Sequence, residues 1–437
     1  MLKKISSLFL VVTFFFMTLT ACGDANEVDN AIYPISIGIE RGTNYKIRVV
    51  IQYQTYKGGG SSQDQKSGKG DTSKQYQVEG ANIHAIEASS FLEAINMLNI
   101  AISRKVMLTH AKMLVISEEF AREGIEEYVA PIRRFREVRP TMQVVVVNKD
   151  VESFIRDNKA NIGESLPKSI ELMLSQSQEH GFFPSVTFHE FYETMVSPYA
   201  EPYTIYAGMN TMELPPLNEA EQNKIAKSPI ILEKGFLPGE IPRAGTAKRE
   251  YVGSAVFSGG KMVGTLDNYE TRYMLMVTGK FNRGIMTCID KREPTNVIPL
   301  EIRLGRKPKI GVKIQNGKTL IDLKLKIEAD VGAIQSRIQY EDINMIKELN
   351  NNVKEVIQNG IKKTIEKTQK ELKSDIFNFG YYAAKNFSTI QKFEEYDWLG
   401  KYPDADVNVS IDVNIRRTGL LVKSAKIITP SKNKEIK

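Results

Sequence analysis

The amino-acid sequence predicts an α+β, multi-domain protein: mixed sheets with packed helices, and a C-terminal domain made of an antiparallel-rich sheet carrying one long helix. Strand-period and helix-period segments interleave between residues 45 and 195, a pattern of sheets with helices packed on them. Pro198, Pro202, Pro215, Pro216, Pro229, Pro238 and Pro242 then crowd one stretch and interrupt it. Beyond residue 250 hairpin signals dominate, and a long helical pattern is framed by alternating strands.

In order along the chain, the first element is an export signal. Lys3 and Lys4 precede an apolar run from Ile5 to Leu19, too short for a comfortable membrane span. Leu19-Thr20-Ala21-Cys22 fits a lipobox, in which small residues admit the peptidase and the Cys22 thiol takes a diacylglyceryl group. Two acyl chains anchor stably where one is marginal, at about 0.8 kcal/mol per buried CH₂. Cleavage removes two basic residues and no acidic ones from a chain of net charge +7, leaving +5. That mild excess suits an anionic membrane face and, with no basic cluster interleaved with aromatics, argues against nucleic acid. Only Cys288 remains once Cys22 carries lipid, so no intrachain disulfide can form.

The expected domains are a signal peptide at 1–21, a membrane-proximal tether at 22–34, an N-terminal α/β region at 35–196 divisible into two subdomains, a Pro-rich connection at 197–249 with little regular structure, and a C-terminal α+β domain at 250–428. Within the N-terminal region, alternation from Tyr45 to Tyr53 predicts a half-buried strand. The Gly/Ser/Gln/Lys run at 57–75 predicts a flexible loop. A strand follows at 76–86, then a helix opened by Ser90 and Glu93 in capping-box spacing, with Phe91, Ile95, Leu98 and Ile102 as its stripe. Residues 112–116 and 142–147 are buried strands, Ser117 caps the helix that starts at Glu118, and helical pattern returns at 170–174 and 188–195.

In the C-terminal half, Gly259-Gly260 and Asn316-Gly317 each separate two strand-like runs and predict tight hairpins. Apolar residues spaced by threes and fours from Ile343 to Leu372 predict a helix over about 341–377, with Gly360 as the place for a bend or break. Strict alternation from Val407 to Ile415 brings the chain back as a strand.

Little in the chain carries chemistry. His189-Glu190 begins like a zinc-protease helix, but Glu193 stands where the second ligand belongs. His84, His110 and His180 form no ligand spacing with it. Gly317-Lys318-Thr319 ends like a phosphate loop, yet Val312 holds the earlier glycine position and the context is a hairpin. Ser165–Lys168 and Ser258–Lys261 match Ser-x-x-Lys without companion motifs. Cys288 lies in an apolar stretch without an activating base and reads as a packed thiol. Arg133, Arg134, Arg136 and Arg139, with Glu137, read first as a solvated face with internal salt bridges, and second as a docking patch for an acidic partner or lipid headgroups.

The chain resembles the Ger(x)C family, the lipoprotein C subunits of GerA-type spore germinant receptors. The resemblance is carried by the lipobox at Cys22, the helix at 87–104, and the segment His110-Ala-Lys-Met-Leu-Val-Ile-Ser-Glu-Glu-Phe-Ala-Arg-Glu-Gly124. Further carriers are Arg134-Phe-Arg-Glu-Val-Arg-Pro140, Gly253-Ser-Ala-Val-Phe257, Val263-Gly-Thr-Leu266, Glu270-Thr-Arg272, Asp375-Ile-Phe-Asn-Phe-Gly380, Trp398 and Arg416-Arg-Thr-Gly419. One departure stands out: Gly23 and Asp24 occupy the place where the family has Trp soon after the lipid-bearing Cys.

The resemblance implies a palmitate-type lipoprotein on the outer face of the spore inner membrane, formed at sporulation and assembled with two integral membrane subunits. It implies a role in nutrient-triggered germination, with no enzymatic activity, catalytic substrate, cofactor or metal. The only site residue it carries over is Cys22, for lipid attachment. The alternative is a solute-binding lipoprotein that captures a small nutrient, and a third class is an envelope hydrolase, for which no base, nucleophile or metal set is found.

Overall fold

The computed structural model describes residues 30–54, 81–158, 165–213, 234–336 and 338–419. The signal, Cys22 and the loop at 57–75 lie outside the described residues. The chain pairs with the body already at β1 (Ala31–Ile32), ahead of the expected start of order at Ile35. It continues through β2 (Pro34–Arg41), β3 (Ile47–Gln54) and β4 (Ala81–Ala88), an antiparallel meander. Helix α1 (Phe91–Ala101) leads to β5 (Lys105–Val106), which pairs with β1, and then to β6 (Met113–Ser117). The short helices α2 (Glu118–Glu123) and α3 (Glu126–Arg134) precede β7 (Gln143–Val147). Four more helices follow: α4 (Val151–Arg156), α5 (Leu166–Ser175), α6 (Ser177–His180) and α7 (Phe188–Met195).

Strand β8 (Tyr203–Met209) lies inside the stretch expected to hold little regular structure, which corrects that expectation. Pro198 and Pro202 stop short of it, and Tyr203-Thr-Ile-Tyr are strong strand formers. The hairpin of β9 (Arg249–Ser258) and β10 (Lys261–Leu266) turns at Gly259-Gly260 as expected, but β9 pairs with β8. One eight-stranded sheet results, in the order β10-β9-β8-β7-β6-β2-β3-β4, with β2, β6, β7 and β8 mutually parallel at its centre.

The central strands are apolar on both faces over most of their length because both faces are covered. Ile37, Ile39, Leu114, Ile116, Val144 and Val146 face α1, α2, α3 and α7; Met113, Val115, Val145 and Val147 face α4 and α5. Capping follows the sequence: the Ser90 hydroxyl accepts from Glu93 N at 3.3 Å, and Ser117 does the same for Phe120. The Glu93 carboxylate returns to the Ser89 N–H, one residue before the cap.

Helix α8 (Asn268–Thr278) then leads into the second sheet: β11 (Arg283–Ile289), β12 (Val297–Leu304), β13 (Lys309–Gln315), β14 (Lys318–Val331) and β15 (Asp406–Arg417). β12 and β13 pair with opposite ends of the long β14, all antiparallel, while β15 runs parallel along its other edge. At the β13–β14 turn Asn316 and Gly317 both have positive φ, 52° and 76°, as a primed turn requires. Along β14, Ile321, Leu323, Leu325 and Ile327 are buried while the alternate residues face outward.

The long helix α9 (Ile343–Lys370) covers the buried face through Leu349, Val353, Ile357, Ile361 and Ile365. At 28 residues it is about 42 Å long, shorter than expected, and it runs unbroken through Gly360. The glycine serves close approach instead: a Cβ there would lie 2.2 Å from the Tyr273 ring of α8. Three short helices, α10 (Phe379–Ala383), α11 (Ile390–Tyr396) and α12 (Trp398–Lys401), close the fold. One apolar core runs without a break from the first face of the large sheet to α9 and β15.

Candidate functional site

The residues with the most unusual chemistry gather at the seam between the two sheets. Each residue of Glu270-Thr271-Arg272, on α8, fastens a different element. Glu270 closes a capping box on Asp267 N and pairs with Lys367 of α9 at 2.7 Å. Thr271 shares a hydrogen bond of 2.8 Å with Ser254 of β9. Arg272 is 2 % exposed and donates to the His180 carbonyl from Nε and Nη2, at 3.0 and 2.7 Å, and to the Ile285 carbonyl at 2.9 Å. Its guanidinium lies 4.4 Å from the centroid of the Phe182 ring. Burial lowers its pKa to about 10, so it stays charged at neutral pH.

The second fastener is Asp375, just past α9. Its carboxylate accepts from the N–H groups of Phe377, Phe379 and Gly380 and from Trp398 Nε1 at 2.8 Å. The flanking backbone ties to the large sheet, with Ser374 Oγ donating to Phe257 O and Glu201 N donating to Asp375 O. Burial raises the pKa of Asp375 to about 6, against the pull of those four donors. The folded chain therefore holds this proton more tightly than the unfolded one. The group's contribution is full below about pH 3.8 and is lost as pH rises through 6. Urea unfolding of the wild type and Asp375→Asn should show the wild type gaining roughly 1–1.5 kcal/mol on the variant between pH 7.5 and 5. A pH-independent difference would contradict this.

Beside the seam lies a cleft of about 690 Å³ bounded by both sheets' connections. His189, Glu190 and Tyr203 line it from one side, and Lys280, Pro308 and Tyr381 from the other. Lys280 lies 3.5 Å from Glu190 and 5.7 Å from the Tyr203 ring centroid. Burial alone would raise Glu190, but donation from Thr187 and the Lys280 charge hold it below its ordinary value. Glu201, deeper in, is raised by burial although Gly259 N and Ser258 Oγ donate to it. A mixed wall of tyrosines, carboxylates and two lysines, Lys280 and Lys307, can hold a polar ligand or a partner's loop.

His189 sits at the rim of this cleft, 3.7 Å from Glu193, so the zinc-like start of α7 ends in a His–Glu pair. The other histidines lie apart: His84 stacks on Tyr53, His110 meets Tyr33 edge-on, and His180 packs on Phe182 and Phe183. Burial and Arg272 push His180 down to about 4. Among the described residues no group of three or more His, Cys, Asp or Glu side chains can hold a metal ion. Cys288 is buried and its pKa is pushed up to about 12, a packed thiol as expected. Lys168 pairs with Glu171 and Ser258 with Glu201, so neither Ser-x-x-Lys match forms a dyad. In Gly317-Lys318-Thr319 the glycine closes the β13–β14 turn and Lys318 and Thr319 open β14, paired with Gln315 and Ile314.

The arginine cluster departs from its first reading. Among the described residues none of Arg133, Arg134, Arg136 and Arg139 is in an ion pair, and the acid among them, Glu137, accepts from Leu108 N. Sequence reasoning also missed what Arg272 and Asp375 do. The available signals were a lone arginine running into apolar Tyr273-Met-Leu-Met-Val277, and Asp267 three residues before Glu270.

Comparison with known proteins follows the same division. A model described as the spore germination protein N-terminal domain matches residues 24–209, and one described as spore germination B3/GerAC like, C-terminal, matches 252–419. Spore germination protein KC of Bacillus subtilis (strain 168) is 21% identical over 410 residues, covering 92% of this chain and 93% of its own. Spore germination protein B3 of the same organism is 22% identical over 376 residues, covering 85% and 87%. The crystal structure of the GerBC protein aligns with 87% of this chain and 96% of its own at 16% identity, with a TM-score of 0.46. β9 and β10, which begin the C-terminal match, thus complete the sheet of the N-terminal match. With its two halves matching the family's two domains in order, this chain belongs to the Ger(x)C family of spore germination proteins.

Proposed function

We propose that this chain is the lipid-anchored C subunit of a germinant receptor, needed for nutrient-triggered germination. It acts by protein–protein assembly, with two integral membrane subunits, at the outer face of the spore inner membrane. The observation that carries this reading is the order of parts: a lipobox ending at Cys22, followed almost at once, from residue 24, by both family domains. Among the described residues no helix is long and apolar enough to cross a membrane, and attachment is assigned to the lipid on Cys22 because of the lipobox. The seam supports a scaffold role, since its buried charges are spent on holding elements together. Deleting the gene in a host without paralogues should abolish the response of its spores to at least one nutrient; unchanged germination with every germinant overturns the reading.

The cleft beside the seam supports a second reading, capture of a small nutrient by this chain itself. It lies within the roughly 300–1,000 Å³ of ordinary ligand sites and has charged and aromatic walls. Calorimetry of residues 23–437 with amino acids and sugars separates the two, because micromolar binding by the isolated chain belongs only to the second.

A further inference from the structure

The chain comes into the body at the end of the large sheet where β6 and β7 begin. Ala31 and Ile32 pair with Lys105 and Val106, Met107 N donates to Ile32 O, and the Tyr33 ring meets His110 at 4.6 Å. The turn after α3 lies against the same place: Leu108 N donates to Glu137, and the charges of Arg139 and Lys112 bear on His110.

This end is ringed by cations without counter-charges. Arg104, Lys105, Arg134, Arg136 and Arg139 are exposed, and none is in an ion pair among the described residues. Elsewhere on the surface Arg41, Arg122, Arg156, Arg283, Arg292 and Arg416 each hold a carboxylate. The exposed arginines without one among the described residues, Arg306 and Arg417, are not clustered with other unpaired arginines in sequence as 134, 136 and 139 are. On the adjoining elements Glu137 accepts from Leu108 N, Glu171 pairs with Lys112 and Glu193 with His189. Glu126 and Glu127, exposed and in no ion pair among the described residues, stand at the opposite, N-terminal end of α3. The dipole at the C-terminal end of α3 accounts for cations at 133 and 134. It does not reach Arg104, Lys105 or Arg139. Ile100, on the last turn of α1 and four residues before Arg104, is 86 % exposed.

The geometry points to this sheet end as a docking face for anionic phospholipid headgroups, with Ile100 entering the headgroup layer, so that the body stands on the bilayer end-on. The placement rests on the anchor at Cys22. Cys22 precedes Asn30 by eight residues, and a fully extended chain spans at most about 3.6 Å per residue, which keeps this end within about 29 Å of the membrane. Five uncompensated cations confined that close to an anionic leaflet are drawn onto it.

Residues 23–437, which retain every residue of both cores but carry no lipid, test the face by sedimentation with vesicles. Binding is expected to phosphatidylglycerol–phosphatidylcholine vesicles but not to phosphatidylcholine alone, and should fall with added salt. Replacing Arg134, Arg136 and Arg139 together by Gln should lower the partition coefficient about a hundredfold, at about fivefold per cation. The same change at Lys354, Lys362 and Lys363 on the exposed face of α9 should leave it unchanged. Equal binding to both vesicles, or an unaffected triple variant with an unaltered melting curve, overturns the proposal. No binding to either vesicle also overturns it and leaves an acidic protein surface as the patch's ligand. Mass spectrometry of Cys22 in the host separately decides the anchor: an unmodified sulfur defeats the reading of function while the vesicle result stands.

Discussion

An Arg272→Ala chain is expected to lose about 3–5 kcal/mol of stability, a large part of the roughly 5–15 kcal/mol that a folded protein has. The substitution removes three hydrogen bonds and leaves the carbonyls of His180 and Ile285 without their donor inside the protein. Each buried polar group so orphaned costs about 1–3 kcal/mol, and the lost stem leaves a cavity. Relief of the buried charge offsets only part of this, because the guanidinium is solvated by carbonyl dipoles and the Phe182 face. Arg272→Lys keeps the charge but not the fork that reaches two carbonyls, and should fall between wild type and alanine. Chemical denaturation followed by Trp398 fluorescence measures both; an alanine variant within 1 kcal/mol of wild type would refute the assignment of Arg272 as a fastener.

The largest effect on location is expected from Cys22→Ala, in the mature chain exported behind an ordinary secretory signal. Without the thioether the protein should stay folded and leave the membrane fraction. At about 0.8 kcal/mol per buried CH₂, loss of even one acyl chain removes several powers of ten from the partition coefficient. The docking face proposed above is salt-sensitive, so fractionation at high ionic strength isolates the anchor from it. Recovery of the variant in the membrane fraction under those conditions would show that Cys22 is not what holds the protein there.

Much of the fold was legible because its signals are local. Asn316-Gly317 determines a turn by backbone conformation alone, and the threes and fours from Leu349 to Ile365 announce the buried stripe of α9. β8 was hidden by proline density that turns out to flank the strand, with Pro202 before it and Pro215 after it. α8 was missed for a different reason. Met274, Leu275, Met276 and Val277 are all buried, so the helix is covered all round and shows no one-sided stripe.

The seam was less legible still. Arg272 binds main-chain carbonyls of residues 180 and 285, and every residue carries a carbonyl, so no side-chain pattern marks the partners. The arginines at 133–139 were visible as composition, but whether their charges are answered depends on where the Glu137 carboxylate points.

The pairing of β8 with β9 has a mechanical consequence. The two family domains are stitched by main-chain hydrogen bonds from Tyr203↔Val256 to Met209↔Arg249, so neither can pivot about the segment that links them without tearing a ladder. A displacement delivered to one end of this chain would arrive at the other as a tilt of the whole, as in a lever rather than a hinge.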